Sequence, residues 1–261
     1  MSAKPGNYFE DFEVGGALSH ATPRTVTVGD TALYTALTGS RFALHSADTF
    51  AQACGLQQSP IDDLLVFHVV FGKAVPDVSL NAIANLGYAD GRFGVPVFPG
   101  DTLKTVSKVL GKRELSNGKA GVVWVRSTGT NQCDETVLEY VRWVMVNKKD
   151  PESTAPEPQV PDLPEAVSAA DLMIPGDLDL TGYDPITAGD NRGWDDIAVG
   201  EQIDHVDGMA IEEAEHQMAT RLYQNTAKVH FDLHRASETR FGKRIIYGGH
   251  IISLARALSF N

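Results

Sequence analysis

The sequence begins to repeat itself. Phe9-Glu10-Asp11-Phe12-Glu13-Val14-Gly15 returns as Trp194-Asp195-Asp196-Ile197-Ala198-Val199-Gly200, an offset of 185 residues. The same offset pairs His20 with His205, Thr35 with Thr220, Leu37 with Leu222, His45 with His230, Ala51 with Ala236 and Ile61 with Ile246. No gap is needed from residue 9 to residue 76, where the second copy reaches Asn261. Single identities arise by chance, but one register held over 68 positions does not. Such a chain must fold as two related units, of which the second copy holds only the N-terminal part.

Within the first copy the spacing predicts a short leading strand and an amphipathic helix over residues 24–39, ended by Gly39. A short helix over Thr49 to Cys54 follows, and then the apolar stretch Leu64-Leu-Val-Phe-His-Val-Val-Phe-Gly72. Alone that stretch fits a buried strand or a buried helix. Its repeat partner Gly249–Phe260 carries Ile251, Leu254, Ala255 and Leu258 at helical spacing, so both copies are read as helix. Segments rich in β-branched and aromatic residues then run from Asn85, Phe98, Gly121 and Val137, with turns such as Ser116-Asn-Gly-Lys119 between them. Five prolines between Pro151 and Pro164 mark a linker lying extended across a surface.

The expected division is a complete first unit over 1–150, a linker over 151–193, and the N-terminal half of a second unit over 194–261. A central helix as apolar as residues 249–260 needs cover. The chain is therefore expected to be a C-terminally shortened form of a longer one. The alternative is a natural short form whose helix docks on another subunit.

Composition narrows the function. A net charge of −12 opposes nonspecific nucleic-acid binding, though a local basic cluster can still hold an anionic small molecule. No apolar run reaches the roughly 18 residues of a membrane span. Met1 to Asn7 carries no signal-peptide core, and Cys54 and Cys133 have no metal spacing, so a cytoplasmic protein without a metal is expected.

The copies differ most after the amphipathic helix, where the first reads Gly39-Ser40-Arg41-Phe42-Ala43-Leu44-His45. The second reads Gln224-Asn225-Thr226-Ala227-Lys228-Val229-His230-Phe231-Asp232. This segment resembles the hydratase motif of the MaoC-like hot-dog family, Gly-Asp-x-Asn-Pro-x-His-x-Asp. His230 and Asp232 match that pattern; Asn225, Ala227 and Lys228 stand where it has Asp, Asn and Pro. The surrounding text is similar to double hot-dog members of the family over essentially the whole chain. It includes Thr220–Phe231, Arg244–Arg256, Asn81–Tyr88 and Phe98–Leu103.

The resemblance implies an α+β tandem hot-dog, each unit an antiparallel sheet wrapped around a long central helix. It also implies reversible hydration of an enoyl-CoA thioester bearing a second, free carboxylate. No cofactor is implied, since CoA is part of the substrate, and a homodimer or higher oligomer is expected. Alternatives are an acyl-CoA-binding protein without chemistry, or a thioesterase using Asp62 near the central helix.

Each role follows from chemistry. His230 is the candidate base, because an imidazole titrates near neutrality and can return the proton. Asn225 can orient water but cannot accept its proton, which leaves Asp232 as a possible helper. Gly248 and Gly249, at the start of the second central helix, are candidate amide donors to the enolate oxygen, or else only a turn. Tyr223, Lys228, Arg41 and Asp62 complete the candidate substrate contacts. Lys228 and Arg41 are proposed for the free carboxylate, since burying it without a cation is costly. The plainer readings make Lys228 and Arg41 solvated charges and Asp62 and Asp232 helix caps. His45 is read as a structural relic.

Overall fold

The computed structural model describes residues 6–260. Its first part runs β1 (Ala17–Ser19), β2 (Arg24–Thr25), α1 (Val28–Thr38), α2 (Ala43–Ser46), α3 (Asp48–Ala53) and α4 (Asp63–Ala74). Four long strands follow, β3 (Ala82–Phe93), β4 (Thr102–Glu114), β5 (Ala120–Thr130) and β6 (Thr136–Asn147). After them come α5 (Pro185–Ala188), α6 (Glu213–Leu222), α7 (Leu233–Ser237) and α8 (Gly248–Leu258).

Local chemistry sets the helix ends. Thr27 caps α1 by accepting from the Asp30 N–H, Asp30 returns the bond to the Thr27 N–H, and Gly39 ends the helix at φ 71°. Asp62 caps α4 through the Leu64 N–H. Past Ala74 the chain continues through a π-helical turn over Val75–Ser79 before β3.

The sheet is antiparallel in the order β1-β4-β5-β6-β3, with β2 also paired to β4. Burial alternates along β4: Leu103, Thr105, Ser107 and Val109 face in, and Lys104, Val106 and Lys108 face out. Helix α4 is apolar nearly all round because the sheet wraps it: Leu65, Val66, Val69 and Val70 pack with Leu103, Val137, Leu138 and Tyr140. A helix wrapped in this way is a hot-dog unit.

The repeat is now physical. Helices α1, α3 and α4 start at residues 28, 48 and 63, and α6, α7 and α8 start at 213, 233 and 248, all 185 residues on. Hydrogen bonds repeat as well. The Tyr8 N–H bonds Asp11 as the Gly193 N–H bonds Asp196, and His45 meets the Pro60 carbonyl as His230 meets that of Ile245. Among the described residues the second copy carries no strand, and α6 and α8 pack instead on α1 and α4. The segment from Pro151 to Arg192 crosses the surface of the first unit, held by Gln159 N–H to the Lys112 carbonyl (2.9 Å) and Asp179 N–H to that of Cys54 (2.9 Å).

One glycine makes the contact between copies possible. At Gly72 a Cβ would fall 1.9 Å from the Tyr223 carbonyl oxygen, so α4 meets the second unit backbone to backbone there. The next residue, Gln224, has φ 52°, in the left-handed region that Gly39 occupies in the first copy. A non-glycine residue held there stores strain, of about 1 kcal/mol or more. It delivers Asn225 into the space beside α4.

Candidate active site

A groove of about 420 Å³ opens between the two units. One wall is β3 from Ala82 to Tyr88, and another is Phe71 of α4 with Val75 of the turn that follows it. The second unit supplies Asn225, His230 and the N-terminal turn of α8, with Phe241 facing them. Of the residues singled out in the sequence, the structure brings together His230, Asn225, Gly248 and Gly249.

His230 ends a short 3-10 turn, Lys228–His230. Its Nδ1 donates to the Ile245 carbonyl at 3.0 Å, which leaves Nε2 as the lone-pair nitrogen. Burial pushes its pKa below that of a free imidazole, partly opposed by the bond to Ile245. Asn225 is 3 % exposed. Its Oδ1 accepts from the Ala227 N–H at 3.0 Å, while Nδ2, also buried, has no protein partner and is a donor ready for a ligand oxygen.

The N-terminal amides of α8 are held in place by a residue the sequence reading passed over. His216, on the buried face of α6, accepts the Tyr247 N–H at 2.9 Å through Nε2. An imidazole that accepts must be neutral there, and burial, with His230 and His250 nearby, pushes its pKa down to about 4. Tyr247 then caps α8 without a side-chain acceptor, so the Gly248 and Gly249 N–H groups remain available in the first turn. Gly249 meets the Tyr247 ring so closely that a Cβ would lie 2.4 Å from it.

The first copy shows what closes such a site. At the position of Tyr247 it has Asp62, whose carboxylate takes the Leu64 N–H (2.9 Å), the Ser40 hydroxyl (3.1 Å) and Arg256 (2.8 Å). The Leu64 amide, the counterpart of Gly249, is thereby occupied, and a buried carboxylate stands at the helix terminus beside His45.

The geometry places the other five residues apart from that groove. Asp62 is tied into that ion pair with Arg256 in the other copy and does not line the groove. Asp232 caps α7 by accepting the Arg235 N–H at 3.1 Å. Tyr223 lies in the core, stacked on His68 at 4.0 Å with its hydroxyl on His250 Nδ1 at 3.1 Å. Arg41 is exposed and sits 4.8 Å over the Phe260 ring, at the other end of α8. Lys228 is exposed at the start of its turn and is not a groove residue. Among the described residues no cluster of three or more His, Cys, Asp or Glu could hold a metal, and no helix is long and apolar enough to cross a membrane.

Fold and groove together define a double hot-dog protein with an imidazole and helix-terminal amides facing one cleft. The profile of the MaoC like domain matches residues 11–131. Over its whole length the chain is 65% identical to the Beta-methylmalyl-CoA dehydratase of Chloroflexus aurantiacus and 59% identical to the Mesaconyl-CoA hydratase of Cereibacter sphaeroides, covering 75% of each. The crystal structure of a MaoC domain protein dehydratase from Chloroflexus aurantiacus superposes with a TM-score of 0.96 at 64% identity, over 100% of this chain and 74% of that one. The chain belongs to the MaoC-like dehydratase family.

Proposed function

We propose that this protein is a hydro-lyase that interconverts mesaconyl-CoA and β-methylmalyl-CoA by reversible addition of water. One observation carries the reading: His230, its Nδ1 committed to Ile245, lines the same groove as the glycines whose helix-terminal amides are unused. The substrate is that of relatives named for this reaction at 65% and 59% identity.

In the hydration direction, Nε2 of His230 takes a proton from water as the water oxygen attacks the carbon β to the thioester. The electron pair of the double bond moves to the thioester carbonyl, whose oxygen becomes enolate-like. The Gly248 and Gly249 amides receive that charge, reinforced by the positive end of α8. The imidazolium then gives its proton to the α-carbon, which restores the base. Asn225 offers Nδ2 to the attacking oxygen and holds it in line. The depressed pKa of His230 suits this role, because the ring is neutral and able to accept at pH 7.

Mixing the protein with mesaconyl-CoA tests the proposal. Loss of enoyl-thioester absorbance, with product mass increased by one water, is the expected result. Release of free thiol instead would make the protein a thioesterase, and binding with neither change would make it a carrier.

A further inference from the structure

An acyl group such as mesaconyl presents a second, free carboxylate to the groove, and Lys228 and Arg41 do not line it. A different cation stands behind the wall. Arg142, in the middle of β6, points inward to α4 and is 0% exposed. Its guanidinium lies 4.3 Å over the Phe71 ring, and one nitrogen, Nη1, reaches Ser79 Oγ at 3.4 Å. Its Nε and Nη2 are buried with no partner.

Among the described residues Arg142 makes no ion pair, and its charge acts on Tyr88, Tyr140, Tyr247 and His20. None of the three phenols is ionised at neutral pH, because burial raises them all. Asp77, the acid of this network, bonds His20 Nδ1 at 2.8 Å. A guanidinium keeps its charge even when buried, and a dry interior tolerates it poorly without an anion.

Phe71, Ser79, Tyr88 and Tyr247 all line the groove that holds His230. We infer that Arg142 is the specificity determinant for the free carboxylate, which docks on the Ser79 hydroxyl with the guanidinium directly behind it. Ser79 accepts from Arg142 and retains its own proton for the incoming oxygen. Low-dielectric surroundings strengthen the attraction across that single hydroxyl. This rests on the hydratase reading for the identity of the acyl group.

Arg240 also lines the groove, but it is exposed, with its guanidinium 4.7 Å over the Phe241 ring, and its charge is solvated. The buried competing cation is Lys73. Its ammonium bonds Thr22 Oγ1 at 3.3 Å and the Gln224 side-chain oxygen. It opens into a separate cavity of about 620 Å³ on the other side of Asn225. With two acceptors and a place on the wall of that other cavity, it needs no charge from a ligand in the His230 groove, and so it serves as the control.

Succinyl-CoA and butyryl-CoA are saturated thioesters of similar length, and only the first carries a free carboxylate. Their dissociation constants would be measured by calorimetry on the wild-type chain and on Arg142→Met, Arg142→Lys, Ser79→Ala and Lys73→Met. The wild type should prefer succinyl-CoA. Arg142→Met should weaken succinyl-CoA about 30-fold or more while butyryl-CoA stays within about threefold, as for truncating one side of a buried charge pair. Arg142→Lys should keep part of the preference, Ser79→Ala should lose part of it, and Lys73→Met should leave it intact. Should Arg142→Met not fold, the Ser79→Ala ratio decides. No preference in the wild type, equal weakening of both ligands by Arg142→Met or Ser79→Ala, or loss of the preference in Lys73→Met would overturn the assignment. Failure of the hydratase reading shows separately, as no turnover of mesaconyl-CoA or crotonyl-CoA by a protein that still discriminates the two saturated ligands.

Discussion

Two histidines at repeat-related positions make the same bond and face different futures. His230 and His45 each present Nδ1 to a carbonyl fifteen residues on, at 3.0 and 3.1 Å. Only beside His230 is the helix terminus open, since Asp62 plugs the other. His230→Ala should therefore lower kcat by about 100-fold or more, the usual scale for a lost acid–base group, and His45→Ala should change it less than about threefold. Equal losses would reverse the assignment of working and silent halves. Because burial lowers the His230 pKa, the acid limb of the kcat/KM profile should lie below the roughly 6.5 of a free imidazole, with activity level through neutrality. Asn225→Asp should bind substrate but shift that limb upward, since a new carboxylate beside His230 favours the imidazolium. An unchanged profile would place Asn225 outside the reaction. The motif spacing singled out His230 and Asn225, which the structure brings to one groove. It left Asp232 open between helper and cap; the structure shows its carboxylate accepting the Arg235 N–H at the start of α7, a use that sequence does not separate from a base. Arg142 gave no sign at all: in Val141-Arg142-Trp143 it reads as one polar residue in a strand, and only the pairing register turns it toward α4.

Element boundaries recur at one offset, and this made most of the fold legible before any coordinate. The helix assignment of residues 64–72 came from its partner rather than from itself, and the two central helices do start 185 residues apart. β3 was harder to read. Gly87 sits where a Cβ would strike the Trp143 ring at 2.3 Å, and Asp90 has φ 52° at one of the register shifts against β6. Bulges that bend a strand interrupt the alternation by which a strand is recognised. The turn α2 was missed because four residues give no helical period. At Gly72 the two units touch through backbone alone, so Gly72→Ala must push the Tyr223 carbonyl away. Overpacking of this kind costs about 1–3 kcal/mol. The displaced segment also carries Asn225, so the variant should lose activity at temperatures where it remains folded. Unchanged melting and turnover would mean the contact between units is looser than the structure has it.

Across the whole molecule, buried neutral imidazoles tie the helices of the second unit to one another and to α4. His68 of α4 meets Ser253 of α8 at 2.7 Å, His250 of α8 meets Tyr223, and His216 of α6 takes the Tyr247 N–H. All three are nearly inaccessible to water, and burial, the largest cause in each case, holds their pKa values below the ordinary one, to about 4 for His216. Folding therefore keeps these rings unprotonated at pH values where an unfolded chain would bind protons. Their contribution is fully present above about pH 6.5 and is lost as the pH falls from there toward the folded-state values. Each ring can add up to about 1.4 kcal/mol of destabilisation per pH unit in that window. The melting temperature should stay level from pH 8.5 to 7 and then fall by roughly 5–10 °C by pH 5, given about 2–4 °C per kcal/mol at this size. Carboxylates stabilised in the folded state act mostly lower, near their own pKa values around 4. Replacing His68 by Gln keeps a hydrogen-bonding side chain there without a titrating ring, so it should shallow the decline between pH 6.5 and 5. A melting temperature that stays flat to pH 5 in the wild type would show that these rings are already solvated, and that the interface between the units is open to water.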